Sequence, residues 1–321
     1  MRYRILLTRR WPAAVEQYLS ARFDTTVNAE DLPLSNAALC EAMCIYDAIC
    51  PTVSDAITAH VLMTPGARVR LLSNFGVGTN HIDLDAARQA GLAVSNTPDV
   101  LTDATAELAL LLILMTTRRA GQGERELRSG GWSGWRPTHM LGQSLTGKTL
   151  GLVGFGRIAR ATAHRARAAL GMRIAYFSRH PAAADTHGAL QAQYLPLDEL
   201  LGSADVVSLH CPATPATHHL IDARALQLMK ADAVLINTAR GSVVDEAALA
   251  AALATGRIAA AGLDVYEYEP RVHPALLTAE NAVLLPHLGS ATLETRVAMG
   301  LRAAANLERF FAGEPLLDPV I

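Results

Sequence analysis

Three ionisable residues stand at matching places in the second half of the chain. Arg240 follows the apolar run 234–237, Glu269 follows the run 260–265, and His287 follows the run 283–285. An arginine can clamp a carboxylate through two parallel N–H bonds. An imidazole can give or take a proton near neutrality, its free pKa being about 6.5. A nearby glutamate can hold that ring in one tautomer and favour its charged form. Each residue alone has a plain structural explanation, because loop histidines are usually structural and Glu-Pro is a common turn. Together, past the ends of three successive strands, they read as a carboxylate clamp with an acid/base pair. Ligands of open α/β sheets bind beyond the carboxyl ends of the strands, which is where all three would sit.

A second group of residues suits a dinucleotide. Residues 145–160 read as a short apolar strand, a glycine turn and a helix start. The turn is Gly154-x-Gly156-x-x-Ala159. Gly154 permits the turn, Gly156 lets backbone approach a pyrophosphate, and Ala159 keeps helix and strand close. The helix N-terminus offers unpaired N–H groups and partial positive charge to the phosphates. The next strand, 173–177, ends at Ser178-Arg179-His180. An acidic residue there would bond a ribose 2′-hydroxyl, whereas a hydroxyl and a guanidinium suit a 2′-phosphate. The reading is therefore NADP over NAD, with a solvated arginine in a turn as the plain alternative.

These residues need a frame, and the rest of the chain reads as one. Strands are expected at 4–8, 23–27, 46–50, 69–74 and 92–95, and helices near 11–21, 39–43, 55–63 and 84–90. Their alternation implies a parallel, doubly wound sheet. The segment Phe75-Gly76-Val77-Gly78-Thr79-Asn80-His81-Ile82-Asp83 has two readings. It is either a close backbone approach to a ligand or a tight turn with Asp83 capping the next helix. A long helix is expected over 102–118, apolar almost all round from 108 to 115 and so buried. The loop 130–137 carries Trp132 and Trp135, which read as a subunit or substrate contact. Strands at 206–210, 234–237, 260–265 and 283–285 alternate with helices at 195–201 and 245–254, and a last helix runs over 294–311.

Bulk composition narrows the function further. The 321 residues suggest two domains. Half are apolar, 18% are charged, and the formal net charge is -2. No basic surplus exists for a nucleic acid or a membrane surface. Cys40, Cys44, Cys50 and Cys211 form no C-x-x-C pair, and no histidine has zinc-finger spacing, so no metal site is expected. The N-terminal segment lacks the apolar core of a signal peptide, and a cytoplasmic setting is expected.

The motifs then converge on one family. Gly154-x-Gly156-Arg157-Ile158-Ala159, Asn237-Thr238-Ala239-Arg240-Gly241, Gly262-Leu263-Asp264-Val265-Tyr266-x-x-Glu269-Pro270 and Pro286-His287-Leu288-Gly289-Ser290-Ala291-Thr292 resemble the D-2-hydroxyacid dehydrogenases. Val77-Gly78-Thr79-Asn80-His81-Ile82-Asp83 and Thr105-Ala106-Glu107 match the family's remaining blocks, so the resemblance spans nearly the whole chain. Within the family, the 130–135 loop and Ser178-Arg179 place it nearest the glyoxylate/hydroxypyruvate reductases.

The resemblance implies two α/β domains, each a doubly wound, Rossmann-like parallel sheet, with the active site in the cleft between them. The substrate domain would comprise 1–98 and 289–321, and the dinucleotide domain 99–288. It implies a homodimer. It also implies NADPH-dependent reduction of glyoxylate or hydroxypyruvate. Arg240 and the N–H groups of Val77 and Gly78 would hold the substrate carboxylate, with His287 and Glu269 as the acid/base pair. The cofactor would meet Thr105, Gly154, Gly156, Arg157, Ile158, Ser178, Arg179, Pro212, Thr217 and Gly289. Asp264 and the Thr238/Ala239 backbone would orient its carboxamide. An NAD-dependent phosphoglycerate dehydrogenase or another D-2-hydroxyacid dehydrogenase is the nearest rival. A dinucleotide-sensing, corepressor-like scaffold is the non-catalytic one, which would not need an acid/base pair. Formate dehydrogenase relatives lack a glutamate partner for the histidine, so Glu269 disfavours them.

Overall fold

The computed structural model describes residues 2–182 and 190–321. They form two compact units, Met1–Leu101 with Ser290–Ile321, and Thr102–Gly289. Both are α/β units built on a parallel sheet, as the strand–helix alternation predicts.

The first unit has five strands: β1 (Arg4–Leu7), β2 (Asp24–Val27), β3 (Ala48–Cys50), β4 (Leu71–Ser73) and β5 (Ala93–Ser95). Their order is β2-β1-β3-β4-β5, and every neighbouring pair is parallel. β3 and β4 are buried along their whole length. Such strands are covered on both faces, which is why they read as continuous apolar runs. β1 shows the two faces directly. Ile5 and Leu7 pack with Val15, Leu19 and Leu307, while Leu6 packs with Leu39 and Met43 on the other side. The long last helix, Leu293–Phe311, crosses the helix Ala13–Arg22 closely at Gly300. A Cβ there would lie 2.7 Å from Val15.

The second unit has seven strands: β6 (Thr149–Val153), β7 (Arg173–Phe177), β8 (Gln193–Tyr194), β9 (Val206–Leu209), β10 (Val234–Asn237), β11 (Ala260–Leu263) and β12 (Ala282–Leu284). The order is β12-β11-β10-β9-β6-β7-β8, again all parallel. The chain builds outward from β6 to β8, then returns and builds the other way from β9 to β12. The boundary between β6 and β9 is therefore the point where strand order reverses, and a crevice opens there at the carboxyl edge. Because every strand is parallel, the residues after β6, β7, β9, β10, β11 and β12 all emerge at that same edge.

Two local expectations are corrected, at 55–63 and 102–118, and one helix, Ala120–Arg128, was not foreseen. Residues 55–63 form a helix only over Ala59–Leu62. The buried Asp55 carboxylate instead accepts bonds from Thr8 Oγ1 at 2.6 Å and the Thr52 N–H at 2.7 Å, so it stabilises a turn that competes with helix. The segment Ala120–Arg128 is helical although Gly121 and Gly123 lower its propensity, and an Arg128–Glu124 pair one turn apart supports it. The helix Thr102–Thr117 is not buried all round. Thr105, Ala109, Leu112, Ile113 and Thr116 face the sheet, while Leu111 and Leu114 are exposed. No helix among the described residues is long and apolar enough to cross a membrane.

Candidate active site

The glycine turn follows β6 at the switch point. Gly154 has φ 92, and a Cβ on it would lie 2.8 Å from the backbone of His210 and Cys211, which follow β9. Only glycine fits both the left-handed conformation and that approach. Gly156 has nothing within 4 Å of its would-be Cβ, so open space lies over the turn. It is also the N-cap of the helix Arg157–Leu170 and places no side-chain hydrogen bond on that helix's N-terminus. Ala159 is fully buried. Ser178 and the exposed Arg179 and His180 follow β7, and the Ser178 hydroxyl donates to the His180 carbonyl. Among the described residues 178–182 that follow β7, none is acidic.

After β10, the buried Asn237 side chain builds the turn that carries Arg240. Its Nδ2 donates to the Arg240 carbonyl at 2.9 Å, and its Oδ1 accepts the Ala239 N–H at 3.0 Å. An Asn at a strand end is an Asx-turn signal, so this role was visible in principle in the sequence. Arg240 is half-buried. Burial pushes its guanidinium below its ordinary pKa, and the Glu269 charge pulls it back up.

Gly241 lies against the segment that carries Glu269. A Cβ would fall 1.8 Å from the Tyr266 carbonyl carbon and 2.3 Å from the Glu267 nitrogen. The clamp turn and the glutamate loop thus touch backbone to backbone. Gly241→Ala must part them, and a backbone clash has no rotamer to relieve it. We expect a stability loss of about 1–3 kcal/mol or more, together with a fall in kcat/KM on every substrate. Denaturant unfolding and steady-state rates measure both, and wild-type values would contradict the close approach.

Glu269 and His287 meet directly. His287 Nδ1 lies 2.8 Å from Glu269 Oε2, and the other carboxylate oxygen accepts the Tyr266 N–H at 3.0 Å. Burial raises the Glu269 carboxyl. The His287 bond and charge, the Tyr266 N–H and the Arg240 charge together outweigh it, so its pKa lies below the ordinary glutamate value. With Nδ1 held by the carboxylate, Nε2 is the nitrogen left to exchange a proton. His287 itself has φ 55, a conformation a β-substituted residue adopts only when its surroundings impose it.

Those surroundings are largely Asp264, just beyond β11. Its carbonyl accepts the His287 N–H at 2.9 Å. Its carboxylate oxygens accept the Leu288 N–H at 2.6 Å and the Gly289 N–H at 2.8 Å. Burial pushes this carboxyl above the usual aspartate pKa, against the two N–H groups and the His287 charge. The sequence reading gave Asp264 only a cofactor contact; its grip on the histidine loop comes from the fold. Thr105 Oγ1 donates to the Gly289 carbonyl at 3.1 Å and pins the loop's far end. Thr238 is buried, and its Oγ1 has no protein partner among the described residues. An orphaned hydroxyl beside Arg240 fits a polar ligand at this edge. Thr217 Oγ1 accepts the Thr214 N–H at 2.8 Å and donates to the Pro212 carbonyl at 2.6 Å, shaping the loop after β9.

In the first unit, Asp83 caps the helix Leu84–Gln89 through the Ala86 N–H. The loop before it is held by Asn74, which sequence reasoning missed. Asn74 Nδ2 donates to the Gly76 and Gly78 carbonyls at 2.9 and 3.0 Å, and its Oδ1 lies 2.9 Å from His81 Nε2. Asn96 Nδ2 donates to the Val77 carbonyl at 2.8 Å. With the three carbonyls engaged within the unit, the Val77 and Gly78 N–H groups are among the backbone donors this loop can offer a ligand.

Residues 110–289 match the model of the D-isomer specific 2-hydroxyacid dehydrogenase, NAD binding domain. The chain belongs to that family. Glyoxylate reductase of Thermococcus onnurineus (strain NA1) is 42% identical over 98% of this chain and 94% of its own length. Human glyoxylate reductase/hydroxypyruvate reductase is 40% identical over 98% of this chain and 92% of its own. The solved NADPH-dependent glyoxylate/hydroxypyruvate reductase of Sinorhizobium meliloti, in complex with NADP and malonate, superposes with a TM-score of 0.88 at 37% identity. That match covers 100% of this chain and 97% of that one. As a D-isomer specific 2-hydroxyacid dehydrogenase, the chain is an NAD(P)-dependent oxidoreductase. The open turn at Gly156 and the uncapped helix behind it suit such a dinucleotide.

Proposed function

We propose that this enzyme reduces short 2-keto acids, glyoxylate and hydroxypyruvate foremost, to D-2-hydroxy acids with NADPH. The observation that carries the reading is the 2.8 Å pair of His287 Nδ1 and Glu269 Oε2 at the sheet edge where Arg240 also emerges. When bound, the dihydronicotinamide supplies a hydride to the keto carbon. Arg240, with the Val77 and Gly78 N–H groups, holds the substrate carboxylate and polarises the keto oxygen. His287 passes its Nε2 proton to that oxygen, so the hydroxy acid leaves with one hydride and one proton added. Glu269 holds the ring's orientation and balances the positive charge carried before transfer. Arg157 and Ile158 offer backbone N–H groups to the pyrophosphate. The Thr238/Ala239 segment and Asp264 orient the carboxamide, Thr105 and Gly289 border it, and Pro212 and Thr217 lie on the adenosine side.

Preference for NADPH rests on the Ser178-Arg179 pair and on the absence of an acid from residues 178–182. Similarity to an enzyme solved with NADP supports the same reading. The test is a set of initial rates with NADPH and NADH on glyoxylate, hydroxypyruvate, pyruvate and phenylpyruvate. Arg179→Ala should lose one charge-assisted contact to the 2′-phosphate, about 1.5–3 kcal/mol. The KM for NADPH should then rise about 10-fold or more, with the KM for NADH little changed. Equal losses would refute the cofactor assignment, and no turnover of any keto acid by the wild type would refute the activity.

We also read the chain as a homodimer through its second unit. Leu111, Leu114, Leu127, Trp132 and Leu141 are exposed there, and Trp135 is 81% exposed, large apolar side chains that a partner subunit would cover. A native mass of one chain would remove that part of the reading.

A further inference from the structure

Beside the Glu269 loop, the second unit gathers two imidazoles and a carboxylate to which no role is assigned above. His218 and His219 adjoin in sequence. In an extended chain their rings would point to opposite sides. Here His219 has φ 49, and this turn brings the rings together, centroids 4.0 Å apart and nearly perpendicular. Left-handed backbone at a histidine persists only where surroundings impose it. Backbone contacts impose it here: the His219 N–H donates to the Ser242 carbonyl at 2.9 Å and the Ile221 N–H to the Val243 carbonyl at 3.0 Å. Glu267 arrives from the strand-end loop, its side chain only 10% exposed, with Oε1 2.7 Å from His219 Nε2. Its backbone N–H is held by Glu246 at 2.8 Å.

One donor atom from each of His218, His219 and Glu267 lies within 4.8 Å of the other two. In a tetrahedral zinc site, bonds of about 2.0–2.1 Å put donors about 3.3 Å apart. A zinc ion would need the three donors to close from within 4.8 Å of one another to about that spacing, with the backbone already anchored on both sides. Two imidazole nitrogens and one carboxylate oxygen are the donor set of late first-row divalent cations, and too nitrogen-rich for calcium or magnesium.

We propose that His218, His219 and Glu267 form a binding site for one such cation, zinc above all, with solvent completing the coordination. The sequence offered no signal for it, because a His-His pair and a glutamate 48 residues on match no metal spacing. The ion would bridge the 218–219 segment to the loop that ends in Glu269, two residues from its ligand Glu267. Binding exchanges the Glu267–His219 hydrogen bond for coordination, so a moderate affinity that weakens in acid is expected.

The test is calorimetric titration of zinc chloride into the full, chelator-stripped chain, beside the visible spectrum of the cobalt(II) adduct. The expected result is one zinc per chain, a raised Tm with zinc, and cobalt bands of a nitrogen–oxygen site. His218→Gln and Glu267→Gln should each weaken zinc about tenfold or more and lose the cobalt bands. His218 is exposed, so its variant should fold as the wild type does, as circular dichroism in chelator would check. Zinc binding of equal strength in wild type and His218→Gln overturns the proposal, as does a wild type that takes up no stoichiometric zinc.

Discussion

His287→Ala is expected to lower kcat for keto-acid reduction by about 10²–10⁴-fold, the range a positioned general acid supplies, while leaving the KM for substrate near its wild-type value. The reasoning starts from Nδ1, which is committed to Glu269 at 2.8 Å. The proton that reaches the keto oxygen must then come from Nε2, and alanine removes it without touching the clamp. Stability should change little, because the loop is held through the backbone bonds to Asp264 rather than through the ring. The partner variant supplies the pH arm. The Glu269 carboxyl lies below the ordinary glutamate value, so it stays ionised as pH falls past that value and is lost only in stronger acid. Wild-type kcat/KM should therefore hold through mildly acidic pH and fall as Glu269 protonates. In Glu269→Gln that acid limb should vanish and the plateau drop, because the amide offers no charge at any pH. Stopped-flow or steady-state rates across pH decide the matter. An unchanged kcat in His287→Ala, or an acid limb that survives in Glu269→Gln, would remove the pair from the chemistry.

Arg240→Ala should raise the KM for the keto acid and lower kcat together. A charge-assisted contact of this kind is worth about 1.5–3 kcal/mol, so kcat/KM should fall about 10–150-fold. Both constants would change because, in the proposed role, the guanidinium binds the carboxylate in the ground state and polarises the oxygen on the way to the transition state. A second effect follows from the electrostatics. Arg240 is among the groups that lower the Glu269 pKa, so its loss should move the acid limb to higher pH. Arg240→Lys should recover little, since one ammonium cannot reproduce a planar fork. Full recovery in the lysine variant, or a loss confined to the KM for NADPH, would move Arg240 out of the clamp.

Asp264 holds the loop that carries His287, and the two residues are not equally readable in the sequence. His287 advertises itself by type and by its place after an apolar run. Asp264 reads as one more acid at a strand end. Only the fold reveals that it accepts three backbone N–H groups from 287–289 and so enforces φ 55 at the histidine. Gly241 is similar: sequence allows any tight turn there, and the structure supplies the Tyr266 backbone that excludes a Cβ. Asn74 and Asn237 are the contrary case: they shape the loops that carry Gly78 and Arg240 through bonds to residues only two to four positions on, a local signal the sequence holds.

Helix 102–117 illustrates the opposite error. Its composition alone reads as buried on every side, because periodicity says which residues are apolar and not how many surfaces are on hand to cover them. The described chain covers one face and leaves Leu111 and Leu114 exposed. At 55–63, helical spacing lost to one buried carboxylate, Asp55, whose partner Thr8 lies 47 residues away.

What the sequence by itself determined was the parallel α/β class, the glycine turn, and the types of group at each strand end. These are properties of local pattern: apolar runs of strand length, small residues where backbone must approach, ionisable residues just past a run. Tertiary structure decided the rest. It set strand order, with the reversal beside β6, the pairing of Glu269 with His287 across 18 residues, and the loop grip of Asp264. It also brought His218, His219 and Glu267 together. Those depend on which strands lie side by side and on the register that joins them. That choice is made by the summed burial of many side chains, and no short stretch of sequence records it.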